Sequence, residues 1–415
     1  MSQHEMKLCL DTPEMLDEMN SSVNSSSHDS YRSTLSKNSL DSHNSKYQKE
    51  FGLSCVSLER TAPISDCESL WNLSFRSEAC DSPRHTKERL SPLGLAVKKF
   101  AKELQQNDPP PSEKHCQMIL QSLWNILLHC SSSALTVTGQ PVALPIEGEE
   151  SKKSSATKAV AVNNGAVPAL TSVMKNYKES IKIQSRGILL LGAIGEDDPE
   201  HQEAIAECHG VSFILAAMIV HRKSPTLCLE ACSSLYKVMN KSQRAASQLA
   251  HGDGVRTLWE TMKTHLKHQG IHQYALSVLC LVASDDSLFK KVEDPELFEV
   301  VVNAMNKHKK VKPVLHFGNK LLHSLATRGT NRTKSSLVWS QAPTIILKTL
   351  KYFATQHEVQ LSALESLLAL SIERPEARCM ICDAGGVVVL QDLMKKHPDN
   401  QRIQKLGCEI LGFLL

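Results

Sequence analysis

The sequence predicts an all-α solenoid preceded by a polar tail. Three observations carry this reading. A phrase of a turn residue, a Gly or Pro and then aliphatic residues stands at Asn164 (Asn164-Gly165-Ala166-Val167-Pro168-Ala169-Leu170). Similar phrases begin at His209, Asp253, Asp294, Gln341 and Ala384, in steps of about 41 to 47 residues, the size of a stacked helical repeat. Long apolar-periodic stretches follow each phrase at helical spacing. Within those stretches a small residue stands four before a leucine: Gly187 and Leu191, Ala231 and Leu235, Ala275 and Leu279, Gly318 and Leu322, Ala363 and Leu367, Gly407 and Leu411. The small residue lets neighbouring helices approach, and the leucine one turn on fills a shared core from the same face.

Composition narrows the function classes. The chain has 415 residues, 41% hydrophobic and 5% aromatic, with a formal net charge of +3. That is enough apolar content for a core of Leu, Ile, Val and Ala. The near-neutral balance argues against a surface that tracks phosphate, so no nucleic-acid partner is expected. Thirteen cysteines are scattered without repeated spacing, and Met1 to Asn20 is acidic and polar, unlike a secretory leader. Reduced thiols and a cytosolic or nuclear location are expected, which makes the glycosylation triplets at Asn72, Asn240 and Asn331 chance matches. The longest apolar run, Val211 to Val220, is too short to span a bilayer.

Taken in order, residues 1–91 read as a disordered, Ser-rich tail. Twelve of the first fifty residues are serine, and such a stretch cannot bury enough apolar surface to offset its chain entropy. Met15, Leu16 and Met19 within Pro13–Met19 could line one face of a short docking helix. Ser82 and Ser91 precede prolines and are candidate phosphosites; Arg32-Ser33-Thr34 is a weaker one. Glu68-Ser69-Leu70-Trp71-Asn72-Leu73 is similar to Gln121-Ser122-Leu123-Trp124-Asn125-Ile126. It reads as the remnant of one more repeat or as a segment that folds onto the array.

Order is expected from Pro92. Leu93, Leu95, Ala96, Phe100 and Leu104 recur at helical spacing behind a proline in the first turn. Pro109-Pro110-Pro111 ends that helix, and Ser112 caps the next, whose apolar residues are Met118, Ile119, Leu120, Leu123, Ile126 and Leu127. Residues 131–155, with Gly, Pro and a charge cluster, read as a flexible loop inside the first repeat. Six long helices follow, over Ile181–Ile194, Thr226–Met239, Ile271–Ala283, Val311–Ala326, Val359–Ser371 and Gln401–Leu414.

Turn phrase, small residue and leucine ladder together resemble the armadillo repeat over Pro92 to Leu415, as six to seven repeats with a divergent first one. Asn164–Glu207 matches well and Asp294–Leu337 worst. His397 to Cys408 is similar to a variant found in armadillo proteins, including the N-terminal arms of large multidomain kinases. The resemblance implies a right-handed superhelix of three-helix repeats whose third helices line a concave groove for extended peptides. It says little about function.

Family members that bind nuclear-localisation peptides carry a Trp on each groove helix and an Asn four residues later. Aligned on the leucine ladder, the Trp position reads Gln121, Leu189, Ser233, Ser277, Lys320, Glu365 and Glu409, and the Asn position reads Asn125, Ala193, Lys237, Leu281, Ser324, Ala369 and Phe413. With no Trp and a single Asn, the chain departs from the import-receptor pattern. Lys237 and Lys320 are expected to make the middle of the groove basic, and Glu365 and Glu409 its end acidic. Gln121, Asn125, Ser233, Lys237, Ser277, Lys320, Ser324, Glu365 and Glu409 are therefore the candidate partner-binding residues; plain solvated faces are the alternative.

No catalytic motif stands out: no glycine-rich phosphate loop, no His-Glu-x-x-His helix, no Gly-x-Ser-x-Gly elbow. Cys379-Met380-Ile381-Cys382 lacks a second pair, and Cys228 and Cys232 are one turn apart; all four read as core. No catalytic residue, metal or cofactor is expected. The basic run Lys307-His308-Lys309-Lys310 lacks interleaved aromatics. The expected function is a non-enzymatic scaffold or adaptor binding a partner protein through its groove, with a regulatory tail. The alternative is the helical arm of a larger signalling protein, cut short, because the sequence stops inside an apolar helix, at Gly412-Phe413-Leu414-Leu415, with no polar capping repeat. Self-association through that last helix is the corresponding expectation.

Overall fold

A computed structural model of the protein describes residues 92–105, 111–128, 149–372 and 374–415. The expectations for residues 1–91, including Ser82, Ser91 and Pro13–Met19, and for residues 131–148 fall outside the described residues. Among the described residues there are nineteen α-helices and no strand, as the periodicity predicts.

The array opens with α1 (Pro92–Leu104) and α2 (Glu113–Leu128). Ser112 Oγ accepts from the His115 N–H at 3.3 Å, as the sequence suggested for that helix start. α3 (Glu149–Asn163) corrects the loop reading at 131–155, since residues 149–155 are helical. No Gly or Pro follows Gly148 there, and Glu149 and Glu150 precede Lys152 and Lys153 at the spacing and in the order that favour a helix.

Regular three-helix units follow. They are α3 with α4 (Ala166–Asn176) and α5 (Ile181–Gly195); α6 (Pro199–Glu207), α7 (Gly210–Val220) and α8 (Pro225–Met239); and α9 (Gln243–His251), α10 (Gly254–Thr264) and α11 (Gln269–Ser284). After an irregular unit come α14 (Asn331–Trp339), α15 (Ala342–Tyr352) and α16 (His357–Ser371), then α17 (Pro375–Asp383), α18 (Gly386–Lys396) and α19 (Gln401–Leu414).

The irregular unit has α12 (Pro295–Lys307) and α13 (Lys312–Arg328), but a single 3-10 turn, Phe289–Val292, replaces its first helix. Its α12 and α13 lie within Asp294–Leu337, the repeat that matched worst. Arg328 holds the turn in place: its guanidinium lies 4.3 Å from the Phe289 ring centroid, and Nη2 is 2.6 Å from Asp286 Oδ1.

The recurring phrases are the sharp corners between first and second helices. Gly165, His209, Asp253, Gln341 and Gly385 sit there with φ between 55° and 82°. A following small residue is required because the chain doubles back on itself. A Cβ on Gly254 would lie 2.5 Å from the Leu249 carbonyl oxygen. Asp294 is the exception. It enters α12 with φ −114° and caps it through Oδ1, 2.8 Å from the Glu296 nitrogen, so it is an ordinary N-cap rather than a left-handed corner.

Helices of one kind stack on each other along the array. The second helices pack in the order α1, α4, α7, α10, α12, α15, α18, and the third helices in the order α2, α5, α8, α11, α13, α16, α19. The leucine ladder lies between them: Leu191, Leu235, Leu279, Leu322 and Leu367 are fully buried, each stabilising by about 1.5–3 kcal/mol. The small residues have a more specific role than close helix approach. A Cβ on Gly187, Gly318 or Gly407 would meet Met174, Met305 or Met394 at 2.6–2.7 Å. These methionines come from the second helix of the same unit, where Met218 and Met262 hold the equivalent places.

No single helix among the described residues is long and apolar enough to cross a membrane. α6 and α7 together would pass on length and composition but are bent by 67°. α7 is apolar because Gly210 to Met218 are buried on all sides.

Candidate protein-binding groove

The surface of the third helices is built from four recurring positions. Immediately before the small residue stand Arg186, Glu230, Tyr274, Phe317 and Leu406, all half-buried, with Ser362 buried. Two places after it come Leu189, Ser233, Ser277, Lys320, Glu365 and Glu409. Five after it are Trp124, Tyr236, Cys280, His323 and Leu368, half-buried; six after it are Asn125, Ala193, Lys237, Leu281, Ser324, Ala369 and Phe413.

The structure distributes the nine candidate residues unevenly. Gln121 and Asn125 are exposed, but Gln121 Nε2 donates to Asn125 Oδ1 at 2.8 Å, so part of their capacity is spent on each other. Ser233 and Ser277 are only 4% and 2% exposed. The Ser277 hydroxyl donates to the Gln273 carbonyl at 2.8 Å. Both serines therefore lie beneath the surface that the alignment gave them.

Lys237 is half-buried and ion-paired, with Nζ 2.8 Å from Glu196 Oε1. Lys158 approaches the other oxygen of that carboxylate at 3.9 Å, and burial pushes the Lys158 ammonium below its ordinary pKa. The expected basic middle of the groove is thus balanced at one of its two lysines. Lys320 is exposed and has no salt bridge among the described residues. Ser324 is half-buried.

The acidic end is also tempered. Arg402 forms an ion pair with Glu365, and Lys405 Nζ lies 4.0 Å from Glu409 Oε1. Glu230 is held differently: burial raises its pKa, while Ser185 Oγ donates to its carboxylate at 2.5 Å and lowers it.

The feature missed in the sequence is apolar and aromatic. Tyr236 and Tyr274 lie with ring centroids 6.5 Å apart. Leu229, Leu281, Phe317, Leu361 and Leu368 are likewise half-buried on the same helices, packed against the core from outside. The signal was available: the column before each small residue is bulky and apolar or aromatic in three of six units, at Tyr274, Phe317 and Leu406. An alignment on the Trp and Asn positions alone passes over it.

Two cysteine expectations part ways. Cys228 and Cys232 are fully buried, and burial pushes the Cys228 thiol up to about 12. Cys379 and Cys382 are exposed, which corrects their core reading. α17 is only nine residues long and buries just Ala377 and Ile381. Among the described residues no cluster of three or more His, Cys, Asp or Glu could hold a metal ion.

With this geometry in place the comparisons are direct. The profile of the family described as LRRK2 ARM repeat matches residues 256–414. Among solved structures, a computationally designed armadillo repeat protein for modular peptide recognition is 15% identical. It has a TM-score of 0.51, and the match covers 60% of this chain and all of that one. An engineered protein is 22% identical with a TM-score of 0.50, the match covering 60% of this chain and 96% of that one. No curated protein matches. The chain folds as an armadillo-type α-solenoid, and its residues 256–414 are similar to the LRRK2 ARM repeat.

Proposed function

We propose that the protein is a non-enzymatic scaffold that holds an extended segment of a partner protein along its third-helix face. The observation that carries this reading is the set of half-buried Leu229, Tyr236, Tyr274, Leu281 and Phe317 on three successive third helices, with Tyr236 and Tyr274 6.5 Å apart, and on the third of these helices the exposed Lys320, which has no salt bridge among the described residues. Flat rings and aliphatic stems that stay partly wet suit burial against another chain, and Tyr is suited to it because its hydroxyl tolerates either state. The designed relative's use in modular peptide recognition supports the same reading. The partner segment would place apolar side chains over the tyrosines and an acidic one at Lys320. The Ser-rich tail would regulate this in cytosol or nucleus.

The test is peptide selection on the full chain from a random display library. An apolar–acidic consensus whose binding weakens at least tenfold with Tyr274→Ser or Lys320→Glu supports the groove. A consensus indifferent to both variants rejects it.

A second reading, the helical arm of a larger signalling protein, is favoured by the match of residues 256–414 to the LRRK2 ARM repeat profile. An antibody against α19 that detects, in cells, a band well above the mass of 415 residues would favour it. Self-association through α19, whose Phe413 is exposed, as is Leu415 just beyond it, is tested by sedimentation of the full chain against Phe413→Ser.

A further inference from the structure

The turns between second and third helices line one edge of the array. They are built alike, as three turn residues and an extended fourth, at 221–224, 265–268, 308–311 and 353–356. Contacts from one turn to the next fix their order. His265 Nε2 lies 2.9 Å from the Arg222 carbonyl oxygen, and His308 Nε2 lies 3.1 Å from that of Leu266. Lys309 Nζ lies 5.7 Å from the ring centroid of Tyr352, the last residue of α15.

The second and third places of three consecutive turns carry Arg222 and Lys223, Leu266 and Lys267, and Lys309 and Lys310. All six are exposed, and the five cations form no salt bridge among the described residues. Nearby Lys263 and Lys312 differ, since Lys263 is paired with Glu260 and Glu296, and Lys312 with Glu358. The flanking turns break the row, with Lys178-Glu179 before it and Ala354-Thr355 and Pro398-Asp399 after it. Residues 300–357 contain no Asp or Glu, so α13 and α15 supply no carboxylate to offset Lys309 and Lys310. The near-neutral charge of the whole chain conceals this local excess. Two large apolar side chains stand uncovered on the same edge: Leu266 is 51% exposed and Tyr352 46%.

We propose that this edge docks on an anionic lipid surface, with Arg222, Lys223, Lys267, Lys309 and Lys310 against the headgroups and Leu266 inserted between them. Clustered cations are drawn to anionic headgroups. An aliphatic tip among them gains by entering the boundary of headgroup and acyl chain. A tyrosine ring suits the headgroup level, where one end is apolar and the other wet. A nucleic-acid backbone would engage the same cations, but it offers the leucine no apolar depth, and this decides between the two. The edge and the third-helix face use different residues, so the inference goes beyond the groove reading and does not rest on it.

Flotation of the full chain with phosphatidylcholine vesicles, with and without about 30% phosphatidylserine, tests this. Binding is expected only with phosphatidylserine, and it should weaken as salt rises. A cation near an anionic surface contributes about fivefold to partitioning, so Lys309→Glu combined with Lys310→Glu should weaken binding by at least about tenfold. Leu266→Ser should weaken it several-fold at unchanged charge. All three side chains are exposed, so both variants should keep the melting temperature of the parent. No binding to either vesicle, or equal binding to both, would overturn the proposal. So would binding that survives the lysine reversals. A short DNA duplex bound more tightly than the vesicles, and unaffected by Leu266→Ser, would assign the edge to nucleic acid instead.

Discussion

His397 Nε2 lies 2.7 Å from the carbonyl oxygen of Ala354, one repeat back along the chain. The same link recurs at the end of other second helices: His221 to Lys178, His265 to Arg222, and His308 to Leu266, at 2.9 to 3.1 Å. In the second unit Tyr177 reaches the Pro111 carbonyl instead. A carbonyl can only accept, so each ring presents a protonated Nε2. Helix C-termini leave carbonyls without intrahelical partners, and here the next repeat supplies the donor.

Replacing one of these rings should loosen the seam between two repeats. His397→Phe keeps the ring volume and removes the donor, as Phe353 does naturally at the same position. The expected loss is about 1 kcal/mol, read as a lower melting temperature and as faster amide exchange confined to the last two repeats. His397→Gln should recover part of it.

A pH dependence follows from the pair His272 and His308, whose ring centroids are 4.6 Å apart. Burial lowers the His272 pKa to about 4, with His308 adding to the effect, and burial lowers that of His308 as well. Both are held neutral in the folded state, whereas the unfolded chain takes up the protons near pH 6.5. Stability is therefore fully present above that pH. For His272 it is lost as pH falls from about 6.5 toward 4, at up to about 1.4 kcal/mol per pH unit, and the lowered pKa of His308 acts in the same direction. His272 Nε2 contacts the His265 carbonyl at 3.3 Å, and Gln184, Gln360 and Gln404 donate to the matching carbonyls in other units. His272→Gln should keep the bond and flatten the melting temperature between pH 6.5 and 4.5. An unchanged slope would show that the proton uptake lies elsewhere.

Asn319 is fully buried, and neither side-chain polar atom has a hydrogen-bond partner. The matching positions in the flanking units are Leu276 and Leu364, both buried. Asn319→Leu should stabilise by about 1–2 kcal/mol, since it removes an unsatisfied buried amide. Calorimetry showing destabilisation would mean that the amide is satisfied in solution.

Thiol reactivity should sort by exposure. Cys379, Cys382 and Cys408 are exposed, while Cys228 and Cys232 are fully buried with thiols pushed to high pKa. Under native conditions at pH 7.5, iodoacetamide should label the first three at least tenfold faster, measured by peptide mass spectrometry.

The methionine pockets give a graded test. Gly318→Ala should be nearly neutral, because Ala231, Ala275 and Ala363 stand at the same place and the Met305 side chain can shift. Gly318→Leu would drive a branched side chain into Met305 and should cost about 1–3 kcal/mol. Thermal unfolding of the two variants distinguishes this from a general intolerance of substitution at Gly318.

Much of the fold was legible because a solenoid repeats its local rules. The corner phrases, the small residue and the leucine four places on recur within one chain, and each recurrence supports the others. The third-helix limits agree with the structure to within two residues. The missing first helix before α12 was legible only as a poor match. The length between Ala283 and Asp294 does not say whether a helix or a 3-10 turn spans it, and Arg328, more than thirty residues on, clamps the turn that forms.

The groove was less legible. The columns could be aligned, but burial depends on what the neighbouring repeat places above each position. Ser233 and Ser277 align with exposed Lys320 yet lie under the surface. Lys237 looks like a free cation until Glu196, forty-one residues away, is brought to 2.8 Å.

The amino-acid sequence by itself determined the class of structure, the repeat period, the corner residues and the leucine core, because these follow from spacing along one helix or one turn. Tertiary structure decided which third-helix side chains stay exposed, which charges are paired and which carbonyls the histidines reach. Those outcomes depend on residues about one repeat apart, and only the stacking of consecutive rungs brings them within bonding distance.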